Sequence, residues 1–313
     1  MGNGRTNVTN RRRRGLTYRL RRDAFLYALL VLPIIYFVTF KYIPMYGVTI
    51  AFKEFNIFKG VWGSPWIGLD AFREIFAMKE FYRAVRNTLI LNGLDLLIGF
   101  PMPILLALLL NELTAHNFKR LSQTILYIPH FLSWVIIAGI TLQVFAPTNG
   151  IINNLLRAAG GEPIPFLTSP WHWIATYVGI GIWQNLGWGS IIYLAAITGI
   201  NPELYEAAKV DGAGRFRRIW YVTLPGIKST IIILLILAVG RIAIIGFDRP
   251  FLIGNQMVFD YYDVISTFVY RVGLQSQRYT IATAVGLFQS VIGLVFLFAT
   301  NAIAKKAGES GIW

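Results

Sequence analysis

Six long stretches almost free of charged side chains limit what this chain can fold into. Residues 24–40, 121–156, 163–202 and 279–304 contain no Asp, Glu, Lys or Arg, while 87–111 is interrupted only by Asp95 and 229–247 only by Arg241. A helix needs roughly 20 mainly apolar residues to cross a bilayer. The stretches therefore predict membrane helices near 24–42, 87–111, 122–145, 171–198, 226–247 and 280–304. Buried core helices of a water-soluble protein are the competing reading. It fails because 55% of the 313 residues are apolar and 14% charged, which leaves too little polar surface to cover six such helices. Mean hydropathy of +0.55 also excludes a disordered chain. The expected fold class is all-α, a polytopic membrane protein with six transmembrane helices.

The formal charge of +14 suits either a nucleic-acid binder or a membrane protein with basic cytoplasmic loops. Position decides between them. Arg5, Arg11, Arg12, Arg13, Arg14, Arg19, Arg21 and Arg22 precede the first span, which predicts a cytoplasmic basic segment over 1–23 rather than a nucleic-acid tail. The apolar run that follows is too long for a signal peptide, and Tyr42-Ile43-Pro44 offers no small-residue cleavage site. With the N-terminus inside, 112–121, 199–225 and 305–313 are also cytoplasmic, marked by Lys119 and Arg120, by Arg215, Arg217 and Arg218, and by Lys305 and Lys306. Segments 43–86, 146–170 and 248–279 fall outside. The first of these is itself basic, through Lys53, Lys59, Arg73, Lys79, Arg83 and Arg86, and weakens the charge rule locally. Leu69, Phe72, Ile75 and Phe76 follow helical spacing after Asp70, a residue placed to cap, and predict a short interfacial helix. Trp62, Trp66, Trp171 and Trp173 suit an aromatic belt on the same side.

Several chemistries are missing from the sequence. The absence of Cys excludes a disulfide framework, a thiol nucleophile and a Cys-ligated zinc site. His116, His130 and His172 have no metal-ligand spacing. Gly226-Ile227-Lys228-Ser229-Thr230 resembles a phosphate loop only faintly, because Ile227 stands where that loop requires Gly before Lys. No nucleophile elbow occurs. The chain is expected to be no enzyme, to bind no metal or cofactor itself, and to bind no nucleic acid.

Five polar residues within the expected spans are candidates for a functional site. Asp95 and Arg241 are intramembrane charges, each costing about 2.5–3.5 kcal/mol at a helix centre. Both are expected to face the bundle interior or water, near each other. Gln184, Asn185 and Gln143 are the amides expected to line a polar path, with Gln184 and Trp188 on one helical face. Trp183 and Trp188 suit stacking on a sugar or packing against lipid or a partner.

The loop between the fourth and fifth spans is the most specific segment. Asn201 is placed to cap a helix and Pro202 to occupy its first turn. Glu203 and Glu206 lie toward its positive end and Lys209 toward its negative end. Asp211-Gly212 breaks that helix, with Gly212 free to take positive φ. A second short amphipathic helix follows through Phe216, Ile219 and Trp220. Ala207, Ala208, Ala213 and Gly214 make a small-residue face, which favours close docking to protein over lipid binding.

Glu206-Ala207-Ala208-x-x-Asp211-Gly212-Ala213, with Ile219 and Leu224-Pro225 behind it, resembles the signature loop of membrane subunits of binding-protein-dependent ABC importers. Gly68-Leu69-x-x-Phe72 with Phe81-x-x-Ala84-x-x-Asn87-Thr88 is similar to the start of span two in sugar-importer permeases, although Ala71 stands where Asn is common. The run from Asp263 to Leu274 and the tail from Gly308 to Trp313 resemble the branch that imports oligosaccharides or polysaccharide fragments, of the alginate and lipoprotein-associated polysaccharide type. Together these matches cover most of 24–313.

The resemblance implies a type I importer permease domain over 24–313, multi-pass in the cytoplasmic membrane with both termini cytoplasmic. It implies that Glu206, Ala207, Ala208, Asp211, Gly212 and Ala213, within the loop 199–225, form a coupling helix seated in a cytoplasmic ATPase. It also implies a second homologous permease, two ATPase subunits holding ATP and Mg, and an extracellular or periplasmic solute-binding protein. A secondary transporter would show internal repeats and broken helices at the midplane; neither is evident in the sequence. A membrane enzyme lacks a catalytic constellation, and a channel or receptor gives no reason for the Glu206 loop.

Overall fold

A computed structural model describes residues 23–306 and Gly308. The basic segment before Asp23 and the tail beyond Gly308 lie outside the described residues. Among the described residues there is no strand, only an isolated antiparallel bridge between Lys53 and Trp66. Four helices are long and apolar enough to cross a membrane, Ala24–Phe52, Lys79–Asn111, Pro170–Thr198 and Tyr279–Lys306. Two bent pairs raise the number to six if each pair is one span.

The chain divides into two compact units at Thr49 and Ile50. The described part of the first is a helical rod: α1 (Ala24–Phe37), a π-helical turn over Val38–Tyr42 and a short turn over Ile43–Met45. Its helix is apolar on every side, with Phe25, Leu32 and Ile35 all exposed. Such a helix suits lipid or a partner rather than water.

The second unit holds α2 (Asp70–Ala77), α3 (Lys79–Leu94), α4 (Pro101–Asn111), α5 (His116–Tyr127), α6 (Trp134–Phe145), α7 (Ile151–Ala158) and α8 (Pro170–Thr198). It continues with α9 (Pro202–Val210), α10 (Arg215–Arg218), α11 (Lys228–Gly240), α12 (Asp248–Ile253), α13 (Ile265–Val269) and α14 (Tyr279–Lys306). Three clusters of buried side chains succeed one another along the bundle. Ala71, Ile75, Phe81 and Ala84 pack with Phe268, Ile281 and Val285 at one end. Leu91, Ile137, Trp173 and Tyr177 form the middle. Ile104, Leu108, Tyr193, Ile197 and Ile227 close the end that carries α9.

Proline explains most departures from straight helices. Three π-helical turns, Val38–Tyr42, Asp95–Gly99 and Ile219–Thr223, each end two residues before a proline, Pro44, Pro101 and Pro225. Each Pro lacks an N–H and pushes its ring toward the carbonyl four residues back. The preceding turn widens to the i→i+5 pattern instead; the Phe100 N–H, for instance, reaches the Asp95 carbonyl at 2.9 Å.

Two expected spans are corrected. The third, drawn straight through 122–145, is broken: α5 and its 3₁₀ extension Ile128–Phe131 meet α6 at 104°. Pro129 ends the first piece, and the Ser133 hydroxyl caps the second by accepting from the Ile136 N–H. The fifth, expected over 226–247, is a helix only from Lys228 to Gly240 and meets the Arg215–Gly226 helix at 62°. Beyond Gly240 the backbone unwinds, and side chains satisfy its carbonyls. Asn92 donates to Ile242 (2.7 Å) and Ile244 (3.2 Å), and Gln289 donates to Ala243 (2.7 Å). Irregular backbone at membrane depth is tolerated where such partners exist.

The short helix expected after Gly68 forms as α2, but Asp70 occupies its first turn and pairs with Arg73 rather than capping it. Ala71 and Ile75 are buried against α14, so the helix is packed into the protein. Trp62, Trp66 and Trp171 are exposed as a belt requires. Trp173 is not: it is fully buried, and its indole donates to the Ile253 carbonyl.

The two segments that resemble sugar-importer permeases pack on each other. Phe81, Ala84, Asn87 and Thr88 share the buried face of α3. Asn87 donates to the Asp260 and Asp263 carbonyls, and the Thr88 hydroxyl accepts from the Ile265 N–H. The buried Asp263 carboxylate is held by Arg271 (2.7 Å), Arg83 (3.2 Å) and the Thr267 hydroxyl.

Candidate functional site

Two regions carry the polar chemistry. The first lies inside the bundle where the π-helical turn after α3 faces α8 and α12. Asp95 opens that turn. Arg249 of α12 meets it in a two-point pair, Nη1 donating to Oδ2 at 2.7 Å and Nη2 to Oδ1 at 3.3 Å. Arg249 also donates to the Tyr177 carbonyl. Its guanidinium lies over the Tyr177 ring, 3.6 Å from the centroid, with Trp134 on another side at 5.5 Å. The arginine side chain is 11% exposed and the aspartate 31%. Arg249 thus joins the π-helical turn, α8 and α12, with two-point geometry and aromatic contact offsetting desolvation.

Close approach depends on Gly181. A Cβ there would overlap the Arg249 guanidinium. Gly181→Ala is therefore expected to lower stability by about 1–3 kcal/mol through overpacking. The midpoint of thermal unfolding in detergent reads this out; an unchanged midpoint would show that Arg249 is free to move aside.

Asp95, Arg249 and Asn185 line a cavity of 150 Å³ with Gly99, Pro103 and Leu186. Asn185 donates to Gly181 and to the Gln184 side-chain carbonyl. Gln184 is buried, with its amide 3.4 Å from the Leu132 carbonyl at the break before α6. The structure brings together Asp95, Asn185 and Gln184. It does not bring Arg241 to Asp95: Arg241 follows α11, is exposed, and makes no ion pair among the described residues. That expectation is corrected in favour of Arg249, which lay outside the stretches read as spans. Gln143 is exposed on α6 and does not line this cavity. Trp183 borders an apolar groove of 480 Å³ between α6 and α8, and Trp188 is stacked on His130 at 4.6 Å.

The second region is the loop after α8. The Asn201 side chain accepts from the Glu203 N–H at 3.0 Å and so caps α9. At the other end Gly212 has φ +75°. Its N–H reaches the Lys209 carbonyl, and the Ala213 N–H reaches that of Ala208 at 2.8 Å. This paired closure is the Schellman arrangement, which favours Gly at that position. The Tyr205 and Thr223 hydroxyls lie 3.0 Å apart and tie α9 to the segment after α10. Glu206 and Ala207 are exposed, Ala208 is half-buried, and Glu206 makes no ion pair among the described residues. Leu204 and Val210 are exposed apolar residues on the same helix, and Val210 at 89% has almost no cover from its own chain.

Residues 99–309 match the family described as binding-protein-dependent transport system inner membrane component. Protein LplB of Bacillus subtilis is 46% identical over 294 residues, covering 94% of this chain and 92% of that protein. The polygalacturonan/rhamnogalacturonan transport system permease protein YteP of the same organism is 44% identical, covering 96% of this chain and 94% of its own. Among solved structures, a bacterial ABC transporter involved in the import of the acidic polysaccharide alginate contains a chain 44% identical, with TM-score 0.85 over 93% of this chain and 98% of that one. A second crystal structure, of a bacterial alginate ABC transporter in complex with an alginate pentasaccharide-bound periplasmic protein, matches with TM-score 0.86 at 43% identity over 95% and 99%. The chain belongs to the family of binding-protein-dependent transport system inner membrane components.

Proposed function

We propose that this chain is one permease subunit of an ATP-driven importer of oligosaccharides in the cytoplasmic membrane, with both termini in the cytoplasm. The observation that carries this reading is the match, at TM-score 0.85 and over 93% of the chain, to a subunit of an alginate importer. A second, homologous permease completes the path, two ATPase subunits bind ATP and Mg, and a solute-binding protein delivers the sugar. This chain performs no hydrolysis.

The loop from α9 to α10 is the mechanical link. Its capped helix, the turn at Gly212 and the exposed Leu204, Glu206, Ala207 and Val210 form a small protruding surface that fits a groove in the ATPase. Ala208, Asp211 and Ala213 shape the turn behind it. ATP closes the ATPase dimer, the coupling helices move together, and the spans turn outward. The sugar passes Asp95, Gln184 and Asn185, while Gln143 and Arg241 are exposed polar groups that add to the lining beside the second permease.

Co-expression of tagged versions of this chain, the second permease and the ATPase tests the assembly. They are expected to purify together in detergent, and a chain that purifies alone or only with itself would refute the reading. The paired Gln184→Ala and Asn185→Ala variant is expected to lower sugar uptake roughly tenfold, the loss of two amide hydrogen bonds to the sugar. Unchanged uptake with an intact assembly would remove both residues from the path.

A further inference from the structure

The segment after the coupling turn has chemistry that ATPase docking does not use. Arg215, Arg217 and Arg218 fall within four residues, and none makes an ion pair or side-chain hydrogen bond among the described residues. Phe216 and Trp220, four apart on one face, are 89% and 67% exposed. Tyr221, one turn beyond Arg217, is 74% exposed. Arg215 and Arg218 share the remaining face. They line a cavity of 530 Å³ together with Lys209, Tyr205, Glu206, Glu112, Thr114 and Thr198, so three cations there outnumber two carboxylates. Asn111 and Thr198 end α4 and α8 and border the same cavity, which sets it at the level where two spans leave the membrane. The Arg215–Gly226 helix departs from the direction of α11 by 62°, as a segment lying along a membrane surface does.

We propose that this cavity and the Arg215–Tyr221 arm bind the headgroup of an anionic glycerophospholipid. Arg215, Arg218 and Lys209 hold the phosphate, the Thr114 and Tyr205 hydroxyls add hydrogen bonds, and Phe216, Trp220 and Tyr221 enter the acyl boundary beside it. Aromatic side chains with a polar edge favour that depth, and arginine pairs with phosphate through two donors. The bound lipid ties the base of the coupling loop to the bilayer and keeps α9 oriented toward the ATPase. The site is independent of which sugar is carried.

The test uses the assembled transporter in vesicles holding a photoactivatable phosphatidylglycerol, with a matched phosphatidylcholine analogue in parallel and adducts mapped to peptides by mass spectrometry. Phosphatidylglycerol adducts are expected on peptides covering 198–221, with phosphatidylcholine adducts several-fold fewer. The paired R215Q and R218Q variant is expected to lower the phosphatidylglycerol adducts roughly tenfold, from the surface attraction lost with two arginines. The paired R215K and R218K variant should retain most of them. Equal labelling by both lipids overturns the proposal, as does labelling confined to the basic segment before Asp23 or labelling that the glutamine pair leaves unchanged. Loss of the adducts to millimolar inorganic phosphate would show a free-phosphate site and overturn the lipid assignment. If the glutamine pair fails to assemble, the headgroup comparison and peptide map on the unaltered transporter decide alone.

Discussion

Asp95→Ala is expected to destabilise the bundle by about 3–5 kcal/mol, the cost of leaving one partner of a buried ion pair uncompensated. Arg249 would keep its charge at 11% exposure, with the Tyr177 carbonyl its remaining hydrogen-bond acceptor. Asp95→Asn should lose almost as much, because shape is preserved and charge is not. The paired D95L and R249M variant removes both charges and should recover most of the loss, since apolar replacement of a whole buried pair is often neutral. The midpoint of thermal unfolding in detergent ranks the three. Wild-type stability in Asp95→Asn would show that the pair is solvated and holds nothing together.

Gly212→Val is expected to separate transport from folding. The turn requires φ +75°, and nothing lies within 4 Å of a Cβ built there, so the penalty is one of backbone conformation rather than crowding. A strained left-handed residue costs about 1–3 kcal/mol. That lowers the native turn's population roughly tenfold or more, and most for a β-branched side chain. The spans should fold normally while ATPase capture and sugar uptake fall together. Gly212→Asn should be milder, because Asn tolerates this conformation. Pull-down of the ATPase and uptake into vesicles measure both. Normal capture and uptake in Gly212→Val would remove the turn from the coupling machinery, and loss of the membrane subunit itself would place the turn in folding.

The local structure of the loop after α8 is legible in the sequence in detail because its signals are local. Asn201, Pro202 and Gly212 each act on backbone within a few residues, and the cap and left-handed turn fall where those residues stand. Four spans were legible for a similar reason, being long apolar runs. The 104° break at Leu132 was written in Pro129 and Ser133, but a hydropathy window averages over both. The unwinding after Gly240 had no local signal. It depends on Asn92 and Gln289, whose amides reach across from other helices to hold the free carbonyls. The partner of Asp95 is likewise set by contacts distant in sequence. Arg241 lay within an expected span and Arg249 did not, yet the end of α11 and the position of α12 decide which cation meets the carboxylate.

Sugar transport by this chain is proposed to run under the control of a cytoplasmic ATPase. The direct measurement is ATP hydrolysis by the complete transporter in proteoliposomes, with and without the solute-binding protein loaded with an oligosaccharide, alongside uptake of the labelled sugar. Loaded binding protein is expected to stimulate hydrolysis and sugar to accumulate only with ATP, with both responses lost in Gly212→Val. Sugar accumulation that proceeds without ATP, or hydrolysis indifferent to loaded binding protein, would contradict ATP-driven import.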